Sequence, residues 1–193
     1  MKFRTPIIFG VVVFFFVGCA TEKSIEKVPP PTEKLPLTKE SAEIYLNRGI
    51  DYSQQGEYKK AVSDYNKAIE IDPGFVVAYL NRGFTHSKMG EYEQAISDYT
   101  KAIELNPRYA IAYRNRGFVY RKIGENDKAI ADYTRAIEID PKDAVAYYYR
   151  GNVYYSKGEY DKAWEDVRRA RSLGYKVPPE FLKTLREAAG GQR

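Results

Sequence analysis

The sequence predicts an all-α solenoid, four helix pairs stacked in a row and closed by a capping helix. Gly49, Gly83, Gly117 and Gly151 recur at one constant step, and Gly56, Gly90, Gly124 and Gly158 repeat it. A step of about 34 residues is the mark of a helix-turn-helix repeat. Within each period, aromatic and small residues recur at helical spacing: Tyr45, Gly49 and Tyr52 in the first half, Ala61, Tyr65 and Ala68 in the second. Such a unit cannot bury its apolar face alone, so the units must stack and leave a long exposed surface suited to binding.

Residues 1–18 read as an export signal, with Lys2 and Arg4 ahead of an apolar run from Ile7 to Val17. As a helix that run spans about 17 Å against roughly 30 Å of hydrocarbon, which predicts a removable signal and not a spanning anchor. Cys19 is the only cysteine, which excludes an internal disulfide and a multi-cysteine metal site. The stretch Phe16-Val17-Gly18-Cys19 resembles a bacterial lipobox. That resemblance implies lipid attachment at Cys19 and, with Ala20 following in place of Asp, the periplasmic side of the outer membrane. Ordinary cleavage after Ala20 is the alternative, since Gly18 and Ala20 supply the small residues such a site needs.

Residues 19–41 are rich in Lys, Glu and Pro, including Pro29-Pro30-Pro31 and Pro36. This composition cannot build a core and predicts a disordered tether. Extended, it reaches about 60 Å.

The repeats occupy residues 42–75, 76–109, 110–143 and 144–177. In each, the first-helix glycine is expected to let the two helices approach closely, Gly49 against the small Ala61. Gly56 suits the left-handed conformation that ends the first helix. Asp72-Pro73, Asn106-Pro107 and Asp140-Pro141 stop the second. Net charge runs −2, 0, +1 and +3 from the first unit to the fourth. No concentrated basic stripe with stacking aromatics accompanies it, so nucleic acid is not an expected partner.

These columns resemble the tetratricopeptide repeat family: an aromatic, a Leu-Gly pair, an aromatic, then alanine, aromatic, alanine and a closing proline. Tyr79, Gly83, Ala95, Tyr99, Ala102 and Pro107 fit the second unit, and Tyr113, Gly117, Ala129, Tyr133, Ala136 and Pro141 the third. The fourth keeps Tyr147, Gly151, Ala163 and Ala170 but carries Val167 and Tyr175 in place of the aromatic and the proline. The resemblance implies a right-handed superhelix that binds a protein partner in its concave groove.

Arg48, Arg82, Arg116 and Arg150 stand where the family has Leu. Asp64, Asp98, Asp132 and Asp166 follow them, one to each, at a fixed offset. Four co-occurrences predict Arg–Asp ion pairs joining helices within a unit or between neighbours. Ion pairs of this kind fix register more than they add stability, because desolvation offsets attraction.

His86 is the only histidine and takes the column of Tyr52, Tyr120 and Tyr154. It reads as a core substitution, since no second metal-binding side chain accompanies it. No acid, base or nucleophile stands outside the structural columns, so neither an enzyme, a metal nor a cofactor is expected.

A helical wheel set on Tyr45 turns Leu46, Asn47 and Ile50 away from the second helix, toward the face the family uses as its groove. The same face carries Leu80, Asn81, Phe84 and Lys88, then Arg114, Asn115, Phe118, Arg121 and Lys122, then Tyr148, Asn152 and Tyr155. Exposed apolar residues here, Leu46, Ile50 and Leu80 with Phe84 and Phe118, are expected to be covered by a partner or by the curve of the groove itself. Asn47, Asn81 and Asn115 form a ladder able to pair with the backbone of an extended peptide. The cations are suited to an acidic side chain or free carboxylate.

Residues 178–193 predict a capping helix opened by Pro178-Pro179-Glu180, with Phe181, Leu182, Leu185, Ala188 and Ala189 on one face. Trp164 is expected to pack beneath it. Together these features predict a non-enzymatic adaptor of the bacterial cell envelope, lipid-anchored and holding an extended peptide with apolar and acidic features. The alternative is a glycan-binding lipoprotein of polysaccharide export, with Tyr148, Tyr149 and Tyr155 stacking sugar rings.

Overall fold

The computed structural model describes residues 38–190. The export signal, Cys19 and the tether up to residue 37 lie outside the described residues. Those described form nine helices and no strand: α1 Lys39–Gln54, α2 Tyr58–Ile71, α3 Val76–Met89, α4 Tyr92–Leu105, α5 Ala110–Lys122, α6 Asn126–Ile139, α7 Ala144–Ser156, α8 Tyr160–Ser172 and α9 Pro179–Gly190.

Lys39, Glu40 and Ser41, assigned to the tether by composition, are the first turn of α1. The cause is a capping box: Thr38 Oγ1 accepts from the Ser41 N–H at 3.2 Å, and Ser41 Oγ accepts from the Thr38 N–H at 3.4 Å. Gly56, Gly90, Gly124 and Gly158 sit between the helices of each pair at φ between +79° and +82°, a left-handed turn that costs other residues a steric penalty. The second helices stop where Asp72, Asn106 and Asp140 turn extended ahead of their prolines, and each side chain then accepts from the N–H two residues on.

Helices pack as hairpins, α1 on α2 through α7 on α8, and each second helix packs on the first helix of the next unit. The first helices α1, α3, α5 and α7 also touch one another, which makes them one continuous layer. The core between the layers is a file of alanines and tyrosines, with Ala61, Tyr65, Ala95, Tyr99, Ala129 and Tyr133 at most 1% exposed.

The first-helix glycine makes room for the tyrosine ring of its own unit. A Cβ on Gly49 would meet Tyr65 Cε1 at 2.6 Å, one on Gly83 would meet Tyr99 Cε1 at 3.0 Å, and one on Gly117 would meet Tyr133 Cε1 at 3.1 Å. In the fourth unit, with Val167 in place of the ring, a Cβ on Gly151 would meet Asp166 Cβ at 3.2 Å and Ala163 O at 3.3 Å.

The helix α9 closes the array. Leu185 is fully buried with Ala163 and Val167, and Trp164, Phe181 and Leu182 pack around them. Burial of a leucine of this kind stabilises by about 1.5–3 kcal/mol.

Candidate functional site

The Arg–Asp pairs are scaffold. Arg48 donates through Nε and Nη2 to Asp64 at 2.6 and 2.9 Å, and Arg82, Arg116 and Arg150 grip Asp98, Asp132 and Asp166 in the same two-bond geometry. Each pair lies within one unit. In the later three units another donor of the arginine, Nη1, reaches the second helix of the preceding unit: Arg82 to Asn66 at 2.6 Å, Arg116 to Thr100 at 2.9 Å, Arg150 to Thr134 at 2.9 Å. One planar guanidinium thus pins three helices, which a leucine could not do. The aspartates are buried, and burial raises the pKa of Asp166 against the opposing pull of Arg150.

His86 is half-buried beside the turn of its own unit, with Nδ1 2.5 Å from Glu91 Oε2.

The groove face differs from the sequence expectation at its two ends. Leu46 is buried, not exposed, in one cluster with Tyr45, Tyr65 and Ala78, and Ile50 packs against it. Leu80 packs in turn on Ala95, Tyr99 and Val119. α1 touches α3 and α3 touches α5 directly, and Leu46 and Leu80 lie with clusters that include Ala78 of α3 and Val119 of α5. Asn47 stays exposed. Asn81 and Asn152 donate to the Val77 and Tyr148 carbonyls of their own helices, at 2.8 and 2.7 Å.

At the far end the chain covers its own groove. Tyr148 stacks on Tyr175 at 4.5 Å between ring centroids, and Phe181 of α9 presents itself edge-on to Tyr148 and Tyr155 at 5.9 and 5.4 Å. Tyr148 and Tyr155, two of the three candidate sugar-stacking tyrosines, pack against the capping segment, while Tyr149 lines the depression described next.

Between the ends, α3, α5 and α7 enclose a depression of about 450 Å³. Phe84, Ser87 and Lys88 line it from α3, Arg114, Asn115, Phe118 and Lys122 from α5, Val145 and Tyr149 from α7, with Tyr92 and Tyr99 of α4 at its floor and no carboxylate in the lining. Phe84 is 45% exposed, a large apolar ring in water. The ammonium of Lys88 lies 5.2 Å from the Phe84 ring and that of Lys122 5.6 Å from the Phe118 ring. Arg114 is not free to meet a ligand charge, because it holds both oxygens of Asp143, at 3.0 and 2.9 Å. Asp143 in turn caps α7 by accepting from the Val145 and Ala146 N–H groups.

Arg121 lies against Phe118 and Tyr149, 5.3 and 5.6 Å from their ring centroids. Its Nε and the hydroxyl of Tyr133 beside it are both buried. Burial raises the pKa of that hydroxyl, and the charge of Arg121 and a hydrogen bond with its guanidinium pull it back.

The structure therefore gathers Phe84, Lys88, Arg114, Asn115, Phe118 and Lys122 around one depression, with Arg121 adjacent. It places Leu46 in the core, packs the partly buried Ile50 and Leu80 against that core, and sets Tyr148 and Tyr155 against the cap. Tyr92, Tyr99 and Val145 were not among the candidates. A signal for Val145 existed: Val77, Ile111 and Val145 recur at the repeat step, two helical turns before Phe84, Phe118 and Asn152 and so on the same helix face. Val77 and Ile111 are 38% and 40% exposed.

Known proteins share this architecture. A tetratricopeptide repeat family model matches residues 42–75 and 76–109, a second matches 98–131, and a TPR repeat model matches 119–158. None of the matched models is of a catalytic family. No curated protein sequence matches. Among solved structures, a MamA protein is 31% identical, with 79% of this chain and 85% of that chain covered and a TM-score of 0.69. Another crystal structure of MamA is 33% identical over 68% of this chain and 77% of that chain, with a TM-score of 0.65. The first TPR of Spaghetti (RPAP3), bound to the HSP90 peptide SRMEEVD, is 27% identical over 62% of this chain and 94% of that chain, with a TM-score of 0.60.

Proposed function

Because the chain belongs to the tetratricopeptide repeat family, we propose that it is a non-enzymatic adaptor that holds an extended peptide segment of another protein across its second and third units. The observation that carries this reading is the depression between α3, α5 and α7, where Phe84 and Phe118 offer apolar area and Lys88 and Lys122 offer positive charge with no carboxylate in the lining. Apolar side chains flanked by acidic ones fit both features. The RPAP3 repeat, similar in fold, binds a peptide that itself carries Glu, Glu and Asp.

The adaptor works from the bacterial cell envelope in this proposal. The support is in the sequence: the apolar run ending at Gly18-Cys19, and the Pro-rich stretch that separates Cys19 from the repeats. Two or more acyl chains on Cys19 would give stable membrane attachment where one is marginal. Palmitate labelling tests the anchor: wild type should incorporate label and Cys19→Ser should not, and equal labelling of the two refutes it.

The groove itself is tested with a photo-crosslinking residue at Phe84 in cells, with the product identified by mass spectrometry. One discrete crosslinked protein is expected, absent when the same residue is placed at Glu104 on the opposite layer. Equal products from both positions would refute a groove adaptor.

A further inference from the structure

The second unit leaves hydroxyls unspent where the first unit spends them. In the first, the Tyr65 hydroxyl hydrogen-bonds with Thr85 and Ser53, which also hold each other at 3.2 Å across the seam between α1 and α3. One repeat on, the same places in the seam between α3 and α5 are taken by Tyr99, Val119 and Ser87. Valine in place of threonine removes the group that joined the other two. Among the described residues, the hydroxyls of Tyr99 and Ser87 then make no hydrogen bond. Asn115 is alike: Asn81 and Asn152 donate to carbonyls of their own helices, and Asn115 does not.

All three line the depression between α3, α5 and α7. Tyr99 is 1% exposed and lies at its floor, while Ser87 and Asn115 are half-buried. Burial raises the pKa of the Tyr99 hydroxyl with no hydrogen bond to draw it back, in contrast to Tyr65. The walls carry the rings of Phe84, Phe118 and Tyr149, and the lysines of the lining, Lys88 and Lys122, are exposed at the rim.

These surroundings select a side chain. Ring walls favour a flat apolar body, and an uncharged floor of hydroxyls favours a tip that both donates and accepts. Phenylalanine has the body but would seal the floor hydroxyls from water without a partner, which costs free energy. Serine and threonine have the tip but no ring. A cation meets Lys88 and Lys122, and a carboxylate at the floor finds no charge there to offset its desolvation. Tyrosine has both body and tip.

Resting on the groove reading above, we infer that the depression is a tyrosine-selective pocket: the ring of a partner's tyrosine enters between Phe84 and Phe118, and its hydroxyl bonds with Tyr99 and Ser87 at the floor. The incoming oxygen accepts from the Tyr99 hydroxyl and donates to Ser87 Oγ. Val119 is the residue that makes the pocket selective, because a threonine there would engage Tyr99 as Thr85 engages Tyr65.

The test uses the full-length protein in detergent and two fluorescein-labelled, amidated probes followed by polarisation, Gly-Tyr-Glu-Glu-Tyr-Gly and its Phe counterpart. The Tyr probe should bind about tenfold tighter, the worth of one or two hydrogen bonds. Tyr99→Phe should bring the two affinities to within about twofold of each other. Val119→Thr, which rebuilds the first unit's arrangement, should cut the preference to about threefold or less. Tyr65→Phe, outside the depression, should leave the preference as it is in the wild type. Helical circular dichroism guards each variant against misfolding.

A preference for the Tyr probe that survives Tyr99→Phe, or that falls equally in Tyr65→Phe, refutes the pocket while the groove stands. Equal affinity of wild type for the two probes does the same. If the Tyr99 variant loses its helical signal, Val119→Thr decides, and a preference it leaves unchanged refutes the pocket. Failure of both probes to bind overturns the groove reading together with the pocket.

Discussion

Gly49→Ala should destabilise the protein by about 1–2 kcal/mol, although alanine is the better helix former by roughly 1 kcal/mol. The added Cβ would sit 2.6 Å from Tyr65 Cε1 and 2.8 Å from Cδ1, well inside van der Waals contact. Tyr65 cannot withdraw: it is 1% exposed, and its hydroxyl is engaged by Thr85 and Ser53. Overpacking of this kind costs about 1–3 kcal/mol, more than the propensity gain. At Gly151 the closest atoms would be Asp166 Cβ at 3.2 Å and Ala163 O at 3.3 Å, with Val167 in place of a ring. There the two effects should cancel to within about 1 kcal/mol.

Urea unfolding followed by far-UV circular dichroism measures the difference. With a slope of about 2 kcal/mol per molar urea, Gly49→Ala should lower the midpoint by about 0.5–1 M and Gly151→Ala by little. The ring is the claimed cause, so Gly49→Ala should cost less in a Tyr65→Val background, which imitates the fourth unit. An alanine at 49 as harmless as one at 151, or a cost unchanged by removing the ring, would refute the reasoning.

Three further outcomes follow from the same geometry. Asp64→Ala should cost about 3–5 kcal/mol, because it leaves Arg48, only 4% exposed, without the carboxylate that takes two of its donors; Asp98→Ala should cost less, since the Arg82 side chain is 21% exposed and water can reach it. A thermal or urea melt that reverses this order counts against the burial argument. Stability should fall steeply above about pH 10, because burial raises the folded-state pKa of Tyr65 to about 12 and pushes Tyr99 and Tyr133 up as well. The unfolded tyrosines ionise first, near pH 10, so each buried one removes about 1.4 kcal/mol per pH unit until its folded pKa is reached; a urea midpoint that does not fall between about pH 10 and pH 12 would contradict this. Removing residues 178–193 should expose Ala163, Val167, Trp164, Tyr148 and Tyr155, lowering the melting temperature and raising binding of an apolar dye; an unchanged melt would mean α9 is not a cap.

Repetition made most of the fold legible. A column that recurs four times carries its own control, and the Arg and Asp columns, held at a fixed offset, signalled a contact before any coordinates. The groove was legible only in its middle rows. Phe84, Lys88, Asn115, Phe118 and Lys122 lie where a helical wheel puts them, facing the depression. Leu46 and Leu80 do not, because a wheel describes one helix and the burial of these residues comes from the next one. Tyr148 and Tyr155 meet Phe181 of α9, a neighbour outside the repeat pattern that a wheel does not include.

By itself the sequence determined the helix pairs, the glycine turns and the Arg–Asp offset, since all of these depend on local geometry or on strict periodicity. Tertiary structure alone decided that the arginines pin three helices and that the glycines make room for tyrosine rings. It also decided that the groove narrows to a basic, aromatic depression between α3, α5 and α7. Those features arise where side chains of different units meet, at distances fixed by how the units stack, and no single helix encodes them.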